Sequence, residues 1–242
     1  MHDNTPSIRS KVATDLFWTQ LKWTFWFIPI VLISYPVLTF FFAEVQELEL
    51  TFLSFLFQPA KIYMLVLGIF SIFAFFPYYV KNGVTRKDYF TGSALAAAVL
   101  AVTIVLLSVI IMIILQLIGN WTAYSPGTEH LPFLQMSSKW VFPAVVVTCI
   151  ILSYYIGGWM IALGFYRFGG WGVLLFILIG LLYLSAIDLL WEERPTLPVP
   201  DFLPAAAPTF SLGVSLICNL VLIIAGLFLL FRIIRRARIK LD

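Results

Sequence analysis

The chain has 242 residues, of which 62% are hydrophobic, 17% aromatic and only 11% charged, with a formal net charge of +3 and a mean hydropathy of +1.00. A water-soluble domain of this length could not keep so much apolar surface from solvent, so the composition excludes a soluble globular enzyme and makes lipid the solvent of the chain. The small positive charge hides an asymmetry along the chain and is no sign of nucleic-acid binding.

In chain order, Val12 to Lys22 sets Val12, Leu16, Phe17 and Leu21 among Lys11, Asp15, Gln20 and Lys22. That spacing predicts an amphipathic helix lying at the membrane interface. The first span is expected at 23–43, between the fences Lys22 and Glu44, and bent by Pro29 and Pro36. It is longer than the apolar core of a signal peptide, and no small-residue cleavage pattern follows it at Phe41 to Gln46. A second span is expected at 62–80, between Lys61 and Lys81. Further spans are expected at 93–118, 140–165, 171–190 and 210–231, each near the 20 or so residues that a bilayer core about 30 Å thick requires.

The predicted fold is therefore an all-α membrane protein, one transmembrane domain over residues 1–242 with six spans, the amphipathic helix before them and a short helix between spans two and three. Lys and Arg resist translocation while Asp and Glu contribute little. If both termini are cytoplasmic, twelve of the fifteen Lys and Arg residues lie on that side, with only Lys61, Lys139 and Arg194 outside. The basic tail from Phe231 onward reads as a stop signal beside anionic lipid, each basic residue there being worth about 1 kcal/mol.

Polar chemistry within the spans is sparse. Gln116, Thr148, Ser153 and Asn219 suit hydrogen bonds between helices, and Gly157, Gly158 and Gly164 let backbones approach closely. Asp188 stands near the outer end of the fifth span, and its position fits either an interfacial carboxylate reaching water beside Glu192 and Glu193 or a polar group lining a conduit or exit. Cys149 and Cys218 lie within spans as small apolar thiols, and His2 and His130 are too far apart for a metal site, so no metal is expected. The chain has no nucleophile elbow, no His-Glu-x-x-His and no phosphate loop, so no catalytic residue is assigned.

The loop Lys81 to Gly92, KNGVTRKDYFTG, is the most specific segment. Asn82-Gly83 is a turn signal, and Thr85 with Asp88 three residues on forms a capping-box pattern, so a short helix is expected to start at Arg86. Val84, Thr85, Arg86, Lys87, Asp88, Tyr89 and Phe90 are the expected partner-binding residues, with Arg86 and Lys87 exposed and Tyr89 and Phe90 available to fill a groove on a soluble protein.

Six spans, an amphipathic helix before the first and the run Asn82 to Gly92 resemble the permease subunits of type-two ABC exporters. The resemblance implies a conduit formed by two permeases, identical or paired with a paralogue, and joined to separate cytoplasmic ABC ATPase subunits that bind ATP and Mg, with no cofactor on this chain. By the same resemblance Val84 to Phe90 would be the coupling helix, and Tyr166, Arg167 and Phe168 the second inner contact. The expected location is a bacterial plasma membrane with both termini cytoplasmic, and the expected partners are the ATPases, a second permease and lipid, with no nucleic acid. The proline-rich loop 192–208 argues against a helical hairpin and hence against a sugar-polymer cargo. The Phe-rich spans favour a hydrophobic or amphipathic cargo such as a peptide, lipophilic antibiotic or lipid-like molecule. The alternative is an anchor or sensor subunit that docks a cytoplasmic protein and moves nothing.

Overall fold

A computed structural model describes residues 7–42, 45, 47–48, 50–121, 141–168, 170–191 and 210–235. Six helices long and apolar enough to cross a membrane account for almost all of them. They are α1 (Ile8–Phe41), α2 (Phe52–Lys81), α3 (Arg86–Trp121), α4 (Val141–Phe168), α5 (Gly170–Trp191) and α6 (Leu212–Arg235). The chain is a multi-pass membrane protein. The predicted loop 192–208 and the end of the basic tail lie outside the described residues.

Spans three to six fall where the hydropathy puts them; the first two differ. The segment Val12 to Lys22 is not a separate interfacial helix but the beginning of α1, a continuous helix of 34 residues. The cause is a single buried stripe, Val12, Leu16, Gln20, Thr24, Ile28, Val31 and Tyr35, which keeps helical spacing through Lys22 and past Pro29. At 1.5 Å per residue α1 is about 50 Å long, well beyond the hydrocarbon core. Its N-terminal part packs against α3, where Gly92 leaves room for Val12 and for the Arg9 carbonyl.

α2 begins at Phe52, ten residues earlier than the fence at Lys61 placed it. Thr51 is its N-cap, the side chain accepting from the Ser54 amide at 3.4 Å and lying 2.9 Å from the Ser54 hydroxyl. Near its other end the helix widens into a π-turn, Ser71–Phe75, where the Phe76 amide bonds the Ser71 carbonyl. Pro77 follows directly. It has no N–H to return to the preceding turn, and its ring crowds a carbonyl there, so the wider register accommodates it.

α4 is the axis of the bundle. Two thirds of its apolar window, 67%, is buried, against 22% for α1 and 28% for α5 and for α6. It packs most extensively on α2 and α5, and also meets α3 and α6. The α2–α4 crossing is a reciprocal glycine contact: a Cβ on Gly68 would lie 2.1 Å from the Tyr155 carbonyl oxygen, and one on Gly158 would lie 2.2 Å from that of Leu65. On the α5 side, a Cβ on Gly164 would meet Phe176 at 2.0 Å and one on Gly157 would meet Leu184 at 2.7 Å. Glycine here replaces side-chain volume with backbone proximity, as the sequence led us to expect.

Candidate functional site

The starts of α1 and α3 and the ends of α2 and α6 share one end of the bundle, which carries Arg9, Lys11, Lys81, Lys87 and Arg235. At this basic end α2 closes with a Schellman turn. The Val84 amide reaches back to the Tyr79 carbonyl at 3.0 Å and the Gly83 amide to that of Val80 at 3.1 Å, with Gly83 at φ 84°. One residue later Thr85 caps α3, its hydroxyl oxygen accepting from the Asp88 amide at 3.1 Å and its proton going to the Asp88 carboxylate at 2.6 Å. The turn signals read from the sequence thus act as caps. Their product is not a short separate helix, however: Arg86 to Phe90 form the first turn of α3, because no proline interrupts Thr91 to Ala94 and the helix runs on for 36 residues.

The residues expected to meet a partner divide by face. Thr85 and Lys87 are exposed, together with Lys81, Asn82 and Gly83, and Val84, Arg86 and Asp88 are half-buried. Asp88 also accepts from Arg9 Nε at 2.7 Å, and Arg86 reaches the Arg235 carbonyl at 3.4 Å, so the turn is braced against α1 and α6. Tyr89 and Phe90 do not stand free to enter a partner. Both are buried, Tyr89 against Phe76 and Tyr79, and Phe90 against Trp159 and Phe231. The proposed second contact, Tyr166, Arg167 and Phe168, forms the last turn of α4, and their side chains lie outside the described residues.

Behind this turn a row of hydroxyls crosses four helices. Tyr89 Oη donates to the Ser71 carbonyl, and the Ser71 hydroxyl lies 2.8 Å from Tyr89 Oη and 3.0 Å from Ser93 Oγ. Ser93 Oγ lies 3.5 Å from Tyr155 Oη, which accepts from Gln20 Nε2 at 3.1 Å. Each hydroxyl owns one proton, so the direction of every bond is forced. Tyr89 spends its proton on a carbonyl, which can only accept. Ser71 must then donate to Tyr89, Ser93 to Ser71 and Tyr155 to Ser93, and the Gln20 amide completes the series. All of these side chains are buried, and Gln20 Oε1 has no hydrogen-bond partner among the described residues. From the sequence, Tyr89 was expected at a partner surface and Gln20 on the polar side of an amphipathic segment, neither in a network. A lone Ser or Tyr in a span carries no distinguishing signal, and only the fold lines them up.

A second polar cluster sits toward the opposite end. Asp188 is only 1% exposed, so it neither reaches water nor lines an open passage within this chain. Its Oδ1 is 3.4 Å from Lys61 Nζ, and the Tyr154 hydroxyl bonds Oδ1 at 2.6 Å and Oδ2 at 2.8 Å. The Lys61 ammonium also lies over the rings of Phe57 and Tyr154, at 4.9 and 5.1 Å. Lys61 is therefore no boundary residue but a buried cation within α2, held by a carboxylate of α5 and a phenol of α4. Ser153 and Asn219 join α4 to α6 at 2.9 Å, whereas Thr148 bonds its own helix at the Ala144 carbonyl. Cys149 and Cys218 are free thiols.

Six membrane-spanning helices, a braced turn at the basic end, a buried hydroxyl row and a buried ion pair define a polytopic helical membrane protein. No family model, curated protein or solved structure matches the chain.

Proposed function

We propose that this chain is the membrane-spanning permease subunit of an ATP-driven ABC exporter, working as a dimer and powered by separate cytoplasmic ATPases. The observation that carries the reading is the turn Asn82–Thr85. It is short, capped on both sides, and exposed at Lys81, Asn82, Gly83, Thr85 and Lys87. Contacts in the first turn of α3 tie this knob to α1 and α6. A knob of this kind can receive force from a soluble partner and pass it to two helices at once. ATP and Mg²⁺ would be bound by that partner. In this reading the basic end faces the cytoplasm, in keeping with the distribution of Lys and Arg.

In this reading recognition falls to Thr85, Arg86 and Lys87, and the buried rings of Tyr89 and Phe90 are the seat beneath them. In this reading the cargo is hydrophobic or amphipathic, in keeping with the Phe-rich, sparsely polar spans.

A mild-detergent pull-down of the tagged chain from its native membranes tests this. A P-loop ATPase should copurify in stoichiometric amount and hydrolyse ATP, and Arg86→Glu with Lys87→Glu should release it while the chain remains folded. A chain that purifies without an ATPase, or a double variant that keeps both association and transport, refutes the reading and favours an anchor or sensor that docks another cytoplasmic protein.

A further inference from the structure

The π-turn of α2 and the first turn of α3 meet at one hydrogen bond that joins a side chain to a main-chain carbonyl. Ser71 opens the π-turn, and its carbonyl already serves the Phe76 amide, the bond that defines the widened register. Tyr89, four residues into the helix that starts at the exposed knob, donates its hydroxyl to the same carbonyl. The phenol is wholly buried and its ring is held by Phe76 and Tyr79, one and four residues past the π-turn. Tyr79 is held in turn, its hydroxyl donating to Asp15 of α1.

We infer that Tyr89 is a positioning residue that locks the π-turn of α2 to the start of α3, so that a displacement of the Asn82–Phe90 segment alters the register of α2 at Ser71. A π-turn suits this role. It holds one residue more than the α-helical register needs, and that surplus can shift along a helix while the ends stay seated. Tyr89 decides whether the shift occurs, because its proton competes with or reinforces the backbone bond at the one carbonyl where the register changes. The Ser71 and Ser93 hydroxyls stabilise the phenol but do not themselves touch the backbone of the turn. The inference rests on the permease reading only for the source of the displacement; the mechanical link stands or falls independently.

The test uses the full chain in lipid nanodiscs with a trifluoromethyl probe on Ala74→Cys, an exposed position of the π-turn, in a Cys149→Ala/Cys218→Ala background. Asp88→Asn supplies the displacement by weakening the Arg9 and Thr85 contacts at the start of α3. It should move the fluorine resonance at residue 74. Adding Tyr89→Phe, which keeps the ring and removes the hydroxyl, should abolish that response, whereas adding Ser71→Ala, which costs two buried hydrogen bonds yet leaves the carbonyl, should preserve it. A merely structural Tyr89 would predict equal losses in both backgrounds. If Asp88→Asn leaves the resonance unmoved, or moves it equally with and without the Tyr89 hydroxyl, the inference is wrong. Should Tyr89→Phe fail to fold, an unmoved resonance in Asp88→Asn or a response lost on adding Ser71→Ala still overturns the inference. ATPase copurification, scored on the same preparations, reports on the permease reading separately.

Discussion

Lys61 and Asp188, separated by 127 residues of chain, meet at 3.4 Å inside the bundle, with side chains 2% and 1% exposed. Removing either charge alone takes from the other its oppositely charged partner in a low-dielectric interior, at a cost of about 3–5 kcal/mol, whereas removing both often costs little. Lys61→Met and Asp188→Asn should therefore each lower the apparent melting temperature in detergent, and the double variant should recover most of the loss, the Asn side chain still accepting from Tyr154. Additive losses in a fluorescence-detected size-exclusion thermal series would mean that the pair does not interact.

The glycine contact between α2 and α4 yields a sharper contrast. Gly68→Ala and Gly158→Ala each place a methyl against a backbone carbonyl, which cannot rotate away as a side chain could. Both should force the helices apart and reduce the yield of monodisperse protein. Gly213→Ala, with open space around it, should behave as the parent. Equal behaviour of all three would contradict the crossing described.

At the basic end Thr85→Ala should cost about 1 kcal/mol of helix-start stability, as loss of an N-cap does, and Thr85→Ser should restore it. Limited trypsin digestion reads this locally. Cleavage after Lys81, Arg86 or Lys87 should accelerate in the Ala variant and return to the parent rate in the Ser variant. No change in cleavage would argue that the cap contributes nothing to order in the turn.

The arrangement of the ends is open to a labelling experiment in the Cys149→Ala/Cys218→Ala background. Ser7→Cys and Asn82→Cys should react with a membrane-impermeant maleimide from one side and Ser211→Cys from the other. The permease reading adds that the first two react only after the membrane is permeabilised. Labelling of Ser7→Cys and Asn82→Cys from opposite sides would overturn the six-span topology.

What the sequence made legible was local. The Thr85 and Asp88 cap, the Gly83 turn and the last four spans depend on neighbours within a few residues, and each was readable as such. The lengths of α1 and α2 were not, because Lys22 and Lys61 looked like fences. A lysine ends a span only if nothing neutralises it, and the carboxylate that neutralises Lys61 lies three helices further on. The same holds for Tyr89, whose place in a capping-box segment implied exposure. The helix that begins there runs straight into the bundle, so one face of its first turn points inward and the ring goes with it.

The forced order of protons from Gln20 to the Ser71 carbonyl has one more consequence. A relay that conducts protons must be able to accept at one terminus and release at the other, then reverse all its members before the next passage. Here one terminus is an amide that does not give up its proton and the other is a peptide oxygen that has none to give. The row is electrically a dead end, closed at both terminals, and its capacity is for holding four helices in phase rather than for carrying charge.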